Sequence, residues 1–108
     1  MDYNFTAEHE AFRQEVRAFL ARTLTTEFWE RHRAKGGGSS SPEFSQAAGH
    51  EGMLAIAWPP EYGGLGLPAR TYAEIVMRVS SVWMAITGIF NSHLMLALAV
   101  EKFGTERQ

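Results

Sequence analysis

The sequence predicts an all-α domain with one hydrophobic core, and three observations support this fold class. Apolar residues recur at helical spacing, as at Phe12, Val16, Phe19 and Leu20, which occupy positions i, i+4, i+7 and i+8. Residues that favour helix N-termini precede the periodic segments. The length of 108 residues suffices for one modest domain, which buries about two-thirds of the surface that its unfolded chain exposes.

The first two helices are predicted from their caps. Thr6 can cap a helix that begins at residue 7 and carries the apolar stripe described above, with charged residues on its solvated side. The segment TTEFWERHRAK, residues 25–35, favours a second and shorter helix. Its N-cap is either Thr25 or Thr26, and its two adjacent aromatic residues are expected to pack against the core.

The low-complexity stretch GGGSSS, residues 36–41, predicts a flexible connector within one domain, because neither side is long enough for a core of its own. A third helix is expected after it, with Ser41 as N-cap and Pro42 at the first helical position, running toward Gly52. The apolar segment MLAIA, residues 53–57, then leads toward a corner and is also compatible with a short strand.

The stretch WPPEYGGLGLP, residues 58–68, predicts a sharp corner between helices. Trp58 and Pro59 each precede a proline, which favours an extended backbone. The three glycines can adopt positive φ, and Tyr62 is expected to anchor the turn with a buried ring. A structural corner is favoured over a ligand-contacting loop, because the glycine spacing does not match a phosphate-binding fingerprint. The helix that Pro68 opens has an apolar face formed by Tyr72, Ile75, Val76 and Val79.

The segment VWMAITGIFNSHLMLALAV, residues 82–100, is apolar on nearly every side. This pattern predicts either a helix that is buried all round or a membrane span. Asn91, Ser92 and His93 lie at its centre, where unpaired polar groups are costly in hydrocarbon. A buried helix is therefore expected, without a membrane span.

Small and polar residues form one track on this helix. Thr87 and Asn91 are four residues apart, so they share a face, and Gly88 lies beside them. The track is completed by Met84 and by Leu94 or Met95. One interpretation is close helix packing at Gly88, with Thr87 and Asn91 hydrogen-bonded internally. The other is a cavity wall, in which glycine leaves room and methionine adapts to a flexible apolar ligand. The sequence leaves both interpretations open.

Composition excludes several classes of site. The net charge of −2 and the absence of a basic stripe exclude a nucleic-acid interface. The absence of cysteine excludes disulfides, thiolate zinc sites and thiol nucleophiles, and the 4 histidines are too scattered to form a ligand pair on one helix face. No metal site is predicted. The start, MDYNFTAEHE, lacks the basic residues and apolar run of a secretory signal, so a cytoplasmic location is expected.

The last residues carry helix-end signals. Gly104 is suited to end a helix, and Thr105 to Gln108 have the T-x-x-Q pattern of a capping box, which precedes a new helix. These signals predict that the chain is part of a longer protein.

Three segments resemble successive landmarks of the acyl-CoA dehydrogenase family: FTAEHEAFRQEVRAFL near the start, WPPEYGGLGLP in the middle and NSHLMLALAVEKFGTERQ at the end. The Pro-Glu-Tyr-Gly-Gly corner is the most specific of them. The resemblance implies that residues 1–108 are the family's N-terminal helical-bundle domain, without its middle β-domain and C-terminal helical domain. Two positions depart from the family pattern: the second proline of WPP, and Arg78, where many relatives are acidic.

The resemblance implies a flavoprotein that uses FAD to desaturate acyl-CoA thioesters between the α and β carbons. In this family a glutamate removes the α-proton and the β-hydrogen leaves as hydride to the flavin. The base and most flavin contacts are implied to lie beyond Gln108, so no catalytic residue is assigned to this chain, which alone is expected to be inactive. Glu101 and Lys102 are expected to form an exposed helix end. An acyl-CoA substrate, an electron-transferring flavoprotein or similar acceptor, and a homo- or hetero-oligomer are further implications.

The resemblance also implies that this domain supplies one wall of the acyl-chain pocket. The candidate substrate-binding residues are Met84, Thr87, Gly88, Asn91 and Met95. An alternative function is a non-catalytic helical interaction module that keeps the fold and docks onto a partner chain. A weaker alternative is a small membrane-associated protein anchored by residues 82–100. A reading frame that continues past codon 108 into a β-domain would favour the enzyme.

Overall fold

The computed structural model describes residues 6–108, which fold into helices joined by turns. The α-helices are α1 (Ala7–Thr23), α2 (Thr26–Ala34), α3 (Pro42–His50), α4 (Ala69–Trp83) and α5 (Thr87–Phe103), and short 3-10 turns occupy Pro60–Tyr62 and Met84–Ile86. Residues 6–108 contain no strand, which confirms the all-α prediction. The expectation that the chain lacks a secretory signal rests on residues 1–10, of which residues 1–5 lie outside the described part.

The first three helices begin at their predicted caps. The side-chain oxygens of Thr6, Thr25 and Ser41 each accept a hydrogen bond from the backbone N–H three residues later, at 3.2, 3.2 and 3.1 Å. Each bond satisfies one of the donors that a helix N-terminus leaves without an internal partner. Pro42 occupies the first turn of α3, where its missing N–H costs nothing. Residues 36–41 connect α2 with α3.

One hydrophobic core receives side chains from every helix. The predicted stripe of α1 is confirmed, because Val16, Phe19 and Leu20 are buried and Phe12 packs against them. The remaining buried apolar side chains are Phe28, Phe44, Ala48, Met53, Ile56, Ile75, Val79, Ile86 and Phe90. The ring of Phe44 links α3 to two other helices, with its centroid 5.8 Å from that of Phe19 and 6.3 Å from that of Phe90.

Trp83 interrupts the segment predicted as one helix over residues 82–100. Its backbone leaves the helical region, with φ −149° and ψ 83°, and its ring centroid lies 4.8 Å from those of both Trp29 and His32. The chain becomes helical again only after the Met84–Ile86 turn. In α5, Thr87 and Phe90 are the buried residues, so the expectation of a helix buried all round is wrong. Helix α4 and the Phe44 ring of α3 pack against one side of α5, and most of its other residues are exposed.

By length and composition alone, the stretch Ala69–Phe103 could cross a membrane. In its most apolar part of 18 residues, 17% is buried. A single stretch of this kind is weak evidence, because core helices pass the same test. The break at Trp83 also divides this stretch into two shorter α-helices.

Backbone hydrogen bonds close the corner between α3 and α4. Residues 53–57 form turns, and the possible strand there is not found. The N–H groups of Leu65 and Leu67 donate to the carbonyls of Ala55 and Ile56 at 3.2 and 2.9 Å, which returns the chain to the core. The prediction of a buried Tyr62 ring is wrong, since this residue is 65% exposed. With the corner held by its backbone, no aromatic anchor is required.

The glycines of the corner serve two different purposes. Gly63 and Gly66 adopt positive φ, 80° and 61°, as predicted. Gly64 does not, but it lies so close to the carbonyl group of Trp58 that a Cβ atom at this position would overlap it. The N–H of Gly66 also donates to the same Trp58 oxygen, at 2.8 Å.

At the other end of α5, Gly104 follows the last helical residue, as its sequence position predicted. Its N–H donates to the Val100 carbonyl at 2.7 Å. Beyond it, the backbone N–H of Thr105 donates to Oε1 of Gln108 at 3.1 Å, which is one of the two hydrogen bonds of the predicted capping box.

Candidate functional site

The exposed side of α5 holds three of the five candidate residues. Gly88, Asn91 and Met95 are spaced three and four residues apart, so they lie along one face of the helix, and all three are exposed. Met95 is 71% exposed, and Met84, in the turn before α5, is 77% exposed. We call Gly88, Asn91 and Met95 the α5 face.

Thr87 lies one turn before Asn91, at the border of the α5 face, where the helix packs against α4. It is buried, and its hydroxyl oxygen lies 3.0 Å from that of Ser80 on α4, within hydrogen-bonding distance. This contact matches the interpretation in which Thr87 is bonded internally. The five candidates therefore do not form one continuous surface.

Gly88 has open space around its backbone. A Cβ atom built at this position meets nothing within 4 Å among the described residues. Close packing against a neighbouring helix would instead bring atoms into that volume. The packing interpretation for Gly88 is therefore not supported by the contacts of this chain.

Asn91 is held by a side chain from α4. The hydroxyl of Tyr72 donates a hydrogen bond to its Oδ1 atom, which connects α4 to α5 at the α5 face. Burial raises the pKa of the Tyr72 phenol, so the hydroxyl keeps its proton at neutral pH and remains a donor. Because the Oδ1 atom is engaged, the amide N–H groups are the donors that Asn91 offers to a ligand.

A cavity of about 370 Å³ lies between the corner and the C-terminal half of α5. We call it the corner cavity. Trp58, Pro59 and Tyr62 form one side, and the α5 side chains facing it are His93, Leu96, Ala97, Val100 and Glu101. Sequence reasoning missed this cavity, although the aromatic residues of WPPEY were a signal for it.

The described residues do not fit a complete flavin dinucleotide. FAD has about fifty non-hydrogen atoms and, at about 30 Å³ for each water-sized group, requires far more room than the corner cavity or a second cavity of about 300 Å³ provides. In residues 6–108 no three His, Asp or Glu side chains are grouped so that they could hold a metal ion. Glu101 is exposed at the end of α5, as expected.

Comparison with known proteins shows one family. The family model described as acyl-CoA dehydrogenase, N-terminal domain, matches residues 6–108. The short-chain specific acyl-CoA dehydrogenase of Clostridium acetobutylicum is 32% identical over 112 residues, which is 100% of this chain and 28% of that protein. The acyl-CoA dehydrogenase FadE26 of Mycobacterium tuberculosis is 34% identical over 73 residues, which is 64% of this chain and 18% of the relative.

A dibenzothiophene monooxygenase of Rhodococcus erythropolis is also similar, with 32% identity over 79 residues, which is 73% of this chain and 18% of that protein. No solved structure matches the chain. The chain thus spans less than a third of the length of each of these relatives.

Proposed function

Because the chain belongs to the acyl-CoA dehydrogenase family, as its N-terminal domain, we propose that it supplies one wall of the acyl-chain pocket in a flavin-dependent enzyme. That enzyme desaturates acyl-CoA thioesters between the α and β carbons. The reaction requires FAD, which accepts hydride when bound, and a base that removes a proton. Both are assigned to parts of the enzyme outside this chain.

The observation that carries the proposal is the open, partly apolar α5 face. Met95 is 71% exposed, and the space beside Gly88 is empty to 4 Å. A flexible acyl chain needs an apolar surface with room for its methylene groups, and glycine and methionine supply both. A second surface, from another part of the enzyme, would close the pocket over this face.

Each candidate residue has a separate role in this proposal. Gly88 leaves space for the acyl chain, and Met84 and Met95 contact it through flexible thioether side chains. Asn91, fixed by Tyr72, presents amide N–H groups at the edge of the face. Thr87 is buried against α4, supports α5 through Ser80 and does not touch the acyl chain.

A second candidate function is a helical interaction module without catalytic activity. The observation that favours it is the apolar surface that α5 exposes beside the α5 face, at Leu96 and Phe103, which are 67% and 86% exposed. Either a partner chain or another domain of the same enzyme could cover this surface.

The test uses a chimera in which residues 1–108 replace the matching stretch of the Clostridium acetobutylicum dehydrogenase. The chimera is purified with flavin, and kcat/KM is measured for acyl-CoAs of about four and eight carbons. If Gly88 faces the acyl chain, Gly88→Leu lowers kcat/KM for the longer substrate selectively. Each excluded methylene removes about 0.8 kcal/mol, so excluding two or three changes the ratio of the two values about tenfold or more.

Ala11→Leu is the matched control, because Ala11 is an exposed helical residue on α1, away from α5. It should leave the ratio unchanged. A Gly88→Leu chimera with an unchanged ratio and a lower melting temperature would assign Gly88 to packing. A chimera that folds and holds flavin, yet turns over no acyl-CoA, would favour the interaction module.

A further inference from the structure

A second cavity, of about 300 Å³, lies between the C-terminal halves of α1 and α4. We call it the α1–α4 cavity. Its apolar lining comes from Leu20, Leu24 and Val82, and two arginines, Arg17 and Arg78, also line it. None of these residues belongs to the α5 face.

Positive charge is in excess beside this cavity. The buried carboxylate of Glu74 is 3.3 Å from Nε of Arg13 and 3.9 Å from Nε of Arg78, measured from its Oε2 atom. Arg13 also pairs with Glu10, at 2.9 Å. Arg17 lies one helical turn after Arg13 and adds a third guanidinium group. Arg13 and Arg78 pair with these two carboxylates, and none of the described salt bridges includes Arg17.

Arg78 is only loosely paired with Glu74. Its Nε atom and the Oε2 atom of Glu74 are both buried without a hydrogen-bond partner in the described residues, because the 3.9 Å between them is too long for a hydrogen bond. Its side chain remains 27% exposed and lines the cavity. A bound anion would supply acceptors to the guanidinium that Glu74 does not.

We propose that the α1–α4 cavity binds a small amphipathic acid. Its carboxylate lies between Arg17 and Arg78, since guanidinium groups form short, charge-assisted hydrogen bonds with carboxylates. Its apolar part covers Leu20, Leu24 and Val82. At about 30 Å³ for each water-sized group, the cavity holds about ten such groups, which suits an acid of about six carbons, such as hexanoate.

The experiment is equilibrium dialysis of the full chain against radiolabelled hexanoate, which measures the acid bound per chain whether or not the chains associate. Saturation near one hexanoate per chain is expected, with affinity that falls as salt is added. Hexanol has the apolar part without the charge, and inorganic phosphate has charge without the apolar part. Both are expected to compete weakly.

Arg17→Gln is the main variant, because Arg17 is exposed and its loss does not disturb the buried Glu74 pair. It should weaken hexanoate binding about tenfold or more, the effect of removing one charge-assisted contact. Arg33→Gln on α2 removes the same charge outside the cavity and should bind as the parent chain does. Val82→Glu places a carboxylate in the cavity and should also reduce binding about tenfold or more. Circular dichroism verifies that each variant is folded.

Three results would overturn the proposal. The first is equal hexanoate affinity in Arg17→Gln and the parent chain. The second is competition by hexanol as strong as that by unlabelled hexanoate, which would indicate adsorption to exposed apolar surface. The third is equally strong competition by phosphate, which would show that the apolar lining contributes nothing.

Discussion

Replacing Gly64 with alanine perturbs the most closely packed backbone of the corner. The added Cβ atom would overlap the carbonyl group of Trp58. That carbonyl oxygen also accepts the hydrogen bond from Gly66, at 2.8 Å. The corner must therefore open, and this hydrogen bond must lengthen or break.

The expected cost follows from these two effects. Overpacking in a closely packed region costs about 1–3 kcal/mol, and loss of one intramolecular hydrogen bond costs about 0.5–1.5 kcal/mol. Together they lower the free energy of unfolding by about 2–4 kcal/mol. In a domain of this size, 1 kcal/mol changes the melting temperature by about 4–8 °C. Gly64→Ala should therefore melt about 10 °C or more below the parent chain.

Two other glycines supply matched controls for the same substitution. Gly63 has φ 80° and nothing within 4 Å of the position that a Cβ atom would take, so Gly63→Ala meets backbone strain alone, about 1–2 kcal/mol. Gly88 is helical, also with open space, so Gly88→Ala should stabilise the helix by about 0.5–1 kcal/mol. Of the three variants, Gly64→Ala should be the least stable and Gly88→Ala the most stable, with Gly63→Ala between them.

The assay is thermal and urea unfolding followed by far-ultraviolet circular dichroism, repeated at several protein concentrations to separate folding from association. The urea slope should remain unchanged if only stability is altered. If Gly64→Ala proved as stable as Gly63→Ala, the close approach of Trp58 to Gly64 would be refuted. If Gly88→Ala were strongly destabilised, the space beside Gly88 would be filled.

Three further outcomes are expected. The purified chain should be colourless and should not oxidise acyl-CoA, because neither the corner cavity nor the α1–α4 cavity has room for FAD; a stoichiometric yellow chromophore after gel filtration would contradict this. The chain should self-associate or bind a hydrophobic dye through exposed apolar residues of α5, and Met95→Lys should reduce both, whereas a dye-free monomer with cooperative unfolding would oppose the idea. Thr87→Val should cost about 1 kcal/mol in unfolding by removing the contact with Ser80, while Ser92→Ala, at an exposed position of α5, should stay within about 0.5 kcal/mol of the parent.

The helix starts could be predicted from sequence because capping is local. Thr6 and Ser41 each act on an N–H three residues away, so the information needed lies within one turn. The stripe of α1 was predictable for the same reason, since its spacing repeats over a few turns.

The errors concern side chains whose position depends on distant residues. Tyr62 is exposed because hydrogen bonds between residues 55–58 and 65–67 already close the corner. Trp83 leaves its helix and packs against rings from α2, more than forty residues earlier in the chain. The corner cavity likewise combines residues 58–62 with α5. Local periodicity carries no information about such pairings.

The two interpretations of the candidate track apply to different residues. Thr87 fits internal bonding, because its hydroxyl meets Ser80. Gly88 fits the open wall, because no neighbour in the described chain requires its small size. Asn91 fits both, since Tyr72 engages its oxygen and leaves its N–H donors for a ligand. Substitutions at Thr87 should therefore change stability without changing acyl-chain selectivity, and Gly88→Leu should do the reverse, so the pair separates a supporting residue from one that faces the substrate.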